Sequence, residues 1–205
     1  MRRFIHTRTN IWWLPSWYTA LSCLQSSWAQ LINTWIYLQE GDKIMLEWEY
    51  QAWGEGDKFI LGTKNSNTSL WWCWLETYWS SDTWYVRFSS PSSVNRPSTA
   101  SQLTGKHLLE LYQWHFDIDG EEYLTPGYQW TFQNEPLTVF GRYDATWTWY
   151  KCCYSKIYSF KIINNWELRL NLIPCRRDSD SVLWMYDLVL QQFLINVGSW
   201  SFTEW

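Results

Sequence analysis

The strongest constraint on this chain is a period of two. From 166 to 172, Trp166, Leu168, Leu170 and Leu172 alternate with Glu167, Arg169 and Asn171. Side chains of an extended strand point alternately to opposite faces, so the pattern predicts a strand with one apolar and one polar side. The same holds at 44–50, where Ile44, Leu46, Trp48 and Tyr50 alternate with Met45, Glu47 and Glu49. Turn-forming segments punctuate these runs: Gly54-Glu55-Gly56-Asp57, then Lys64–Asn67, then Ser80-Ser81-Asp82. Further strand-like runs fall at 59–61, 70–79, 84–88, 107–117, 128–133, 137–140, 145–150 and 156–163. Twenty Trp, 13 Tyr and 9 Phe among 205 residues point the same way, because aromatic and β-branched side chains suit a pleated surface and lose rotamer freedom in helices.

About ten short antiparallel strands in series predict a mostly β, single-domain meander over 30–205, closed into a barrel, with a two-sheet sandwich as the alternative. The length suffices for a real core. A helix is expected near each terminus. At the C-terminal end Asp178-Ser179-Asp180 reads as a cap, Val182, Tyr186, Val189 and Phe193 recur at helical spacing, and Gly198 sits where a C′ glycine belongs. This order of elements is similar to that of lipocalin-like barrels, which carry a helix after the last long strand. The likeness is one of architecture. A Ser/Pro-rich stretch, Ser89 to Ser101, reads as a linker or flap.

Residues 1–29 read as a secretory signal peptide. Arg2, Arg3 and Arg8 supply a positive n-region, 11–24 is uncharged and apolar, and Ser27 and Ala29 place small residues before a cleavage at Gln30. An amphipathic N-terminal helix packed on the body, in a cytoplasmic protein, is the other reading. Cleavage would remove three of 16 basic residues and none of 20 acidic ones, taking the formal net charge from −4 to −7. It would also leave Cys73, Cys152, Cys153 and Cys175, an even number that permits disulfides. A vicinal 152–153 bond is strained, so each of that pair is expected to join Cys73 or Cys175. Buried free thiols are the alternative. Asn67-Thr68-Ser69 is the single glycosylation sequon.

Function is less constrained. The acidic balance and the lack of a basic run argue against a nucleic-acid partner. No stretch of eighteen uncharged apolar residues in the body suggests a membrane span. Twenty Trp are hard to hide in one small core, since each indole N–H needs an acceptor when buried. The segment 70–79 carries the informative excess. Leu70, Trp72, Trp74 and Tyr78 share one face, and Trp71, Cys73, Leu75 and Trp79 the other. Such a strand is either internal or offers one face to a ligand. Trp147 and Trp149 share a second face, suited to stacking on planar molecules or sugars.

Catalytic signatures are missing: the sequence has no GxSxG, HExxH, phosphate loop or dinucleotide fingerprint. Glu47, Glu49 and Glu76 are the strand-borne carboxylates a glycosidase would draw on. His107, His115 and Asp117 share a strand face and read as structural, and 117–122 reads as an acidic hairpin turn. The leading expectation is a secreted, non-enzymatic protein that needs no cofactor or metal. It would bind a small apolar or aromatic ligand through Trp72, Trp74, Tyr78, Trp147 and Trp149. A glycan-binding or glycan-cleaving protein, and a module presenting an aromatic strand to a protein partner, are the alternatives.

Overall fold

The computed structural model describes residues 14–27, 29–51, 58–64, 72–80, 83–90, 92–98, 105–112, 115–124, 135–143, 149–150, 154–198 and 201–204. For 58–59, 63–64, 72–80, 83–90, 92–98, 123–124, 142–143 and 149–150 it describes the backbone alone. The described part is mostly β, antiparallel throughout, and contains no helix.

The large sheet is organised around β4 (Asp42–Tyr50), whose buried positions are every second residue from Asp42 to Tyr50, as its alternation requires. On one side β4 pairs with β9 (His107–Tyr112), followed by β10 (His115–Ile118) and β11 (Glu121–Leu124). On the other it pairs with β15 (Ser155–Asn164), followed by β16 (Glu167–Arg177), β17 (Leu183–Asp187) and β18 (Gln192–Leu194). The second sheet runs β3 (Ile32–Asn33), β12 (Thr138–Val139), β5 (Lys58–Lys64), β6 (Trp72–Ser80), β7 (Thr83–Ser90) and β8 (Ser92–Ser98). A short ladder joins β13 (Arg142–Tyr143) to β14 (Trp149–Tyr150).

The chain therefore leaves the large sheet after β4, builds β5–β8 elsewhere, and returns to flank β4 on both sides. No pairing between the sheet ends β11 and β18 closes a barrel among the described residues. Both sheets contribute to one hydrophobic cluster: Ile44, Leu46, Phe116, Phe160, Ile162 and Leu172 from the large sheet meet Ile60, Leu61 and Val139 from the second. All nine are fully shielded from solvent or nearly so. At about 25 cal/mol per Å² of apolar area removed from water, this burial is the main stabilising term.

Three expectations change here. The segment 182–193 is not a helix: β17 and β18 form a hairpin in which Tyr186 lies opposite Phe193, their ring centroids 4.6 Å apart. The seven-residue spacing that suggested two helical turns is a cross-strand pair bridged by a short loop. Asp178-Ser179-Asp180 likewise makes the β16–β17 turn, with Arg177 N–H donating to the Val182 carbonyl at 2.9 Å. Gly198 serves close approach instead of capping: a Cβ there would lie 2.0 Å from the Ala29 carbonyl oxygen.

The Ser/Pro-rich stretch contains β8, an outer strand of its sheet, where Pro97 opposite Tyr85 costs little because an edge position can forgo the N–H. Near the N-terminus, β1 (Tyr18–Ala20) pairs with β16, and β2 (Leu24–Gln25) pairs with β15 and with β19 (Thr203–Glu204), so no helix forms over 18–25. Cys23, Leu24, Gln25 and Ser26 are buried. The alternation at 166–172 also holds only in part. Leu170 and Leu172 enter the core, but Trp166 is 99% and Leu168 40% exposed, because the β15–β16 hairpin runs past the edge of the core. The acidic hairpin turn at 117–122 is present, with Asp119 and Gly120 both at positive φ and Gly120 N–H donating to Asp117 Oδ1 at 2.8 Å.

Candidate functional site

Of the ligand-binding residues expected from sequence, Trp72, Trp74 and Tyr78 lie along β6, which sits between β5 and β7. Trp149 lies on β14. The side chains of these four, and Trp147 altogether, lie outside the described residues, as do Asn67, Cys152, Cys153 and the side chain of Cys73. Cys175 is a free thiol with no exposure, as is Cys23 at 2%. Burial pushes the Cys175 thiol up to about 12, which disfavours the nucleophilic thiolate.

A described cavity of about 440 Å³ lies at the β17–β18 corner. Val182, Leu183, Trp184, Ile195 and Phe202 form its apolar walls, and Asp180, Ser181, Asn196 and Ser201 add polar atoms, a carboxylate among them. Its volume is that of a small-molecule site. Local sequence explains its shape. On β17 the alternation sends Met185 into the core and leaves Trp184 and Tyr186 on the opposite face. Phe193 joins them from β18. Tyr18, reaching over from β1, stacks on Phe193 with centroids 3.9 Å apart, and Trp184 meets the Phe193 edge at 5.7 Å and 89°. The Arg177 guanidinium lies 5.0 Å from the Trp184 ring and also forks onto Asp180. An edge contact and a cation over the ring fix the indole, so one wall of the cavity is preorganised. Trp184 Nε1 is covered and has no hydrogen-bond acceptor.

The outer face of the large sheet carries the charges. Glu49 accepts from Tyr158 Oη at 2.5 Å and Gln51 Nε2 at 2.6 Å, with Lys156 Nζ at 3.8 Å. Glu47 accepts from Ser159 Oγ at 3.0 Å and pairs with Lys106 at 3.0 Å. Burial alone would raise both carboxyls, but these hydrogen bonds and the neighbouring lysines together outweigh it and hold both below the usual range. A glycosidase needs one carboxyl raised to act as general acid, and Glu47 and Glu49 are both held the other way. The Glu76 side chain lies outside the described residues.

His107 meets Asp119: its Nδ1 lies 2.7 Å from Asp119 Oδ2, while His115 pairs with Glu122 and stacks on Tyr112. His107 Nε2 is buried without a partner, beside the Trp48 ring at 6.0 Å. Asp119 was missed from sequence because its reach to His107 depends on the β9–β10 register. Among the described residues no group of three His, Cys, Asp or Glu could hold a metal ion, and no helix is long and apolar enough to cross a membrane.

No family model matches the chain, and no curated protein matches it either.

Proposed function

We propose that the protein is a non-enzymatic binding protein for a small apolar or aromatic molecule, held in the corner cavity against Trp184. The observation that carries this reading is the cavity itself: about 440 Å³, lined by five apolar and four polar side chains, with a Trp already held in place. Two wall residues, Ile195 and Val182, stay 52% and 38% exposed, an arrangement that wastes apolar surface unless something covers it. The lowered carboxyls of Glu47 and Glu49 suit neither to the general-acid role of a glycosidase. The aromatic strand β6 remains in this proposal as a second ligand surface through Trp72, Trp74 and Tyr78, with Trp147 and Trp149.

The test uses N-phenyl-1-naphthylamine, an uncharged probe that fluoresces in apolar surroundings. Saturable enhancement by the wild-type chain is expected. Ile195→Glu, a change at an exposed wall position, is expected to abolish it with the melting temperature unchanged. No enhancement with the wild type, or enhancement untouched by Ile195→Glu, overturns the corner site.

A further inference from the structure

A different end of the molecule presents aromatic rings to water. The β15–β16 hairpin turns through Asn165 and Trp166, with φ of 47° and 70°. Positive φ at both central residues is what a type I′ turn requires, and glycine is the residue that accepts it at the second position. Here that position holds a Trp whose side chain is 99% exposed. Trp35 repeats the combination, with φ 57° and 62% exposure, in a turn closed by its own N–H donating to Asn33 Oδ1 at 2.8 Å. A left-handed backbone and an exposed indole are each unfavourable, and both coincide twice.

The two tryptophans belong to one end. Asn164 Nδ2 donates to the Glu40 carbonyl and to Asp42 Oδ1, both at 2.8 Å, and Arg169 donates to the Tyr37 carbonyl at 3.3 Å. These bonds lay the 37–42 segment against the base of the hairpin. Tyr37 is 48% exposed, and two residues of chain span at most about 7 Å, which keeps Trp35 beside it. Leu168 adds 40% exposure on the hairpin. The rings thus stand on two separate turns.

The charges around them decide the partner. Arg169 is paired with Asp42, and Lys43 with Glu110 at 2.8 Å. Among the described residues of this end Glu40 and Glu167 are also exposed, which gives those residues an acidic excess that an anionic surface would repel. We propose that this end docks on a phosphatidylcholine bilayer, with Trp166, Trp35 and Tyr37 at headgroup depth. Amphipathic rings favour that layer, where one end of the ring is apolar and the other wet. The choline ammonium adds a cation for the indole faces, with Glu40 and Glu167 as counter-charges. This site is independent of the corner cavity.

Flotation of the full chain with phosphatidylcholine vesicles tests the proposal, with Trp35→Gly, Trp166→Gly and the double variant alongside. Glycine relieves the left-handed backbone, so a merely structural role and a docking role separate. Docking is expected to show as wild-type flotation that drops about tenfold for each variant while the melting temperature holds or rises. Four results overturn it: no wild-type flotation, flotation unchanged in the double variant, flotation that requires phosphatidylserine, or a lipid-free dimer that the double variant dissolves. The last would assign the same end to a second copy of this chain.

Discussion

Asp42 is the residue on which the base of the aromatic end depends, and its replacement by Ala has a calculable cost. Its carboxylate is about 1% exposed and accepts from three directions: Gln39 N–H at 2.7 Å, Asn164 Nδ2 at 2.8 Å, and the Arg169 guanidinium. A hydrogen bond to a charged group contributes about 1.5–3 kcal/mol, but three on one carboxylate are not additive. The larger consequence is the stranded partner, since removing one half of a buried pair costs about 3–5 kcal/mol. Arg169 is 22% exposed and can turn partly into water, which discounts the upper end. The expected loss is therefore about 3 kcal/mol, a large share of the stability of a domain this size.

Urea denaturation followed by far-UV circular dichroism measures that loss, with Arg169→Met and the double variant completing a cycle. The coupling is expected to exceed about 1 kcal/mol, and Arg169→Met alone is expected to cost more than the double variant adds to Asp42→Ala. A loss below about 1 kcal/mol for Asp42→Ala, or a coupling near zero, would refute the assignment of Asp42 as the anchor.

Two further substitutions probe other parts of the same framework. Gly198→Ala forces a Cβ to within 2.0 Å of the Ala29 carbonyl oxygen, a backbone atom that cannot rotate away, and is expected to cost about 1–3 kcal/mol in the same urea assay. Asp187 is fully buried: its Oδ1 accepts from the Asn171 and Val189 N–H groups, its Oδ2 has no partner, and burial raises its carboxyl above the usual range. A raised carboxyl contributes stability below its unfolded value near 3.8 and loses it as pH rises through the folded value. Asp187→Asn, which keeps the Oδ1 acceptor and removes the charge, is accordingly expected to be more stable than wild type at pH 7 by about 1 kcal/mol or more. That advantage should shrink as pH falls toward 4; a constant difference across pH would contradict the cause given.

Strand existence was legible in the sequence, and strand partnership was not. Alternation at 44–50 states which face of β4 is buried, and the structure places Ile44, Leu46 and Trp48 there. It says nothing about which strands take the two edges, because backbone donors and acceptors are the same for every residue but proline. The strands that flank β4 arrive from 107–112 and 155–164, far along the chain, which is why a serial meander gave way to two sheets. The candidate site divides in the same manner. The Trp excess announced that some indoles would remain uncovered, and Trp17, Trp35 and Trp166 are. The Trp184 wall of the corner cavity is buttressed by Phe193 and, behind it, Tyr18 from two other strands, and a 165-residue separation between Asn196 and the Leu31 N–H it accepts from leaves no local trace.

The sequence by itself determined the class of element, the polarity of each strand face and the surplus of aromatic surface, because period and composition act residue by residue. Only the tertiary structure decided which aromatics are spent on packing and which face water. Trp48 and Trp166 are the same residue type in similar alternating sequence, yet one lies mid-strand and fully buried, and the other sits in a turn, 99% exposed. The difference is position: β4 lies between two neighbours under the second sheet, whereas the β15–β16 turn projects beyond the core that would have covered it.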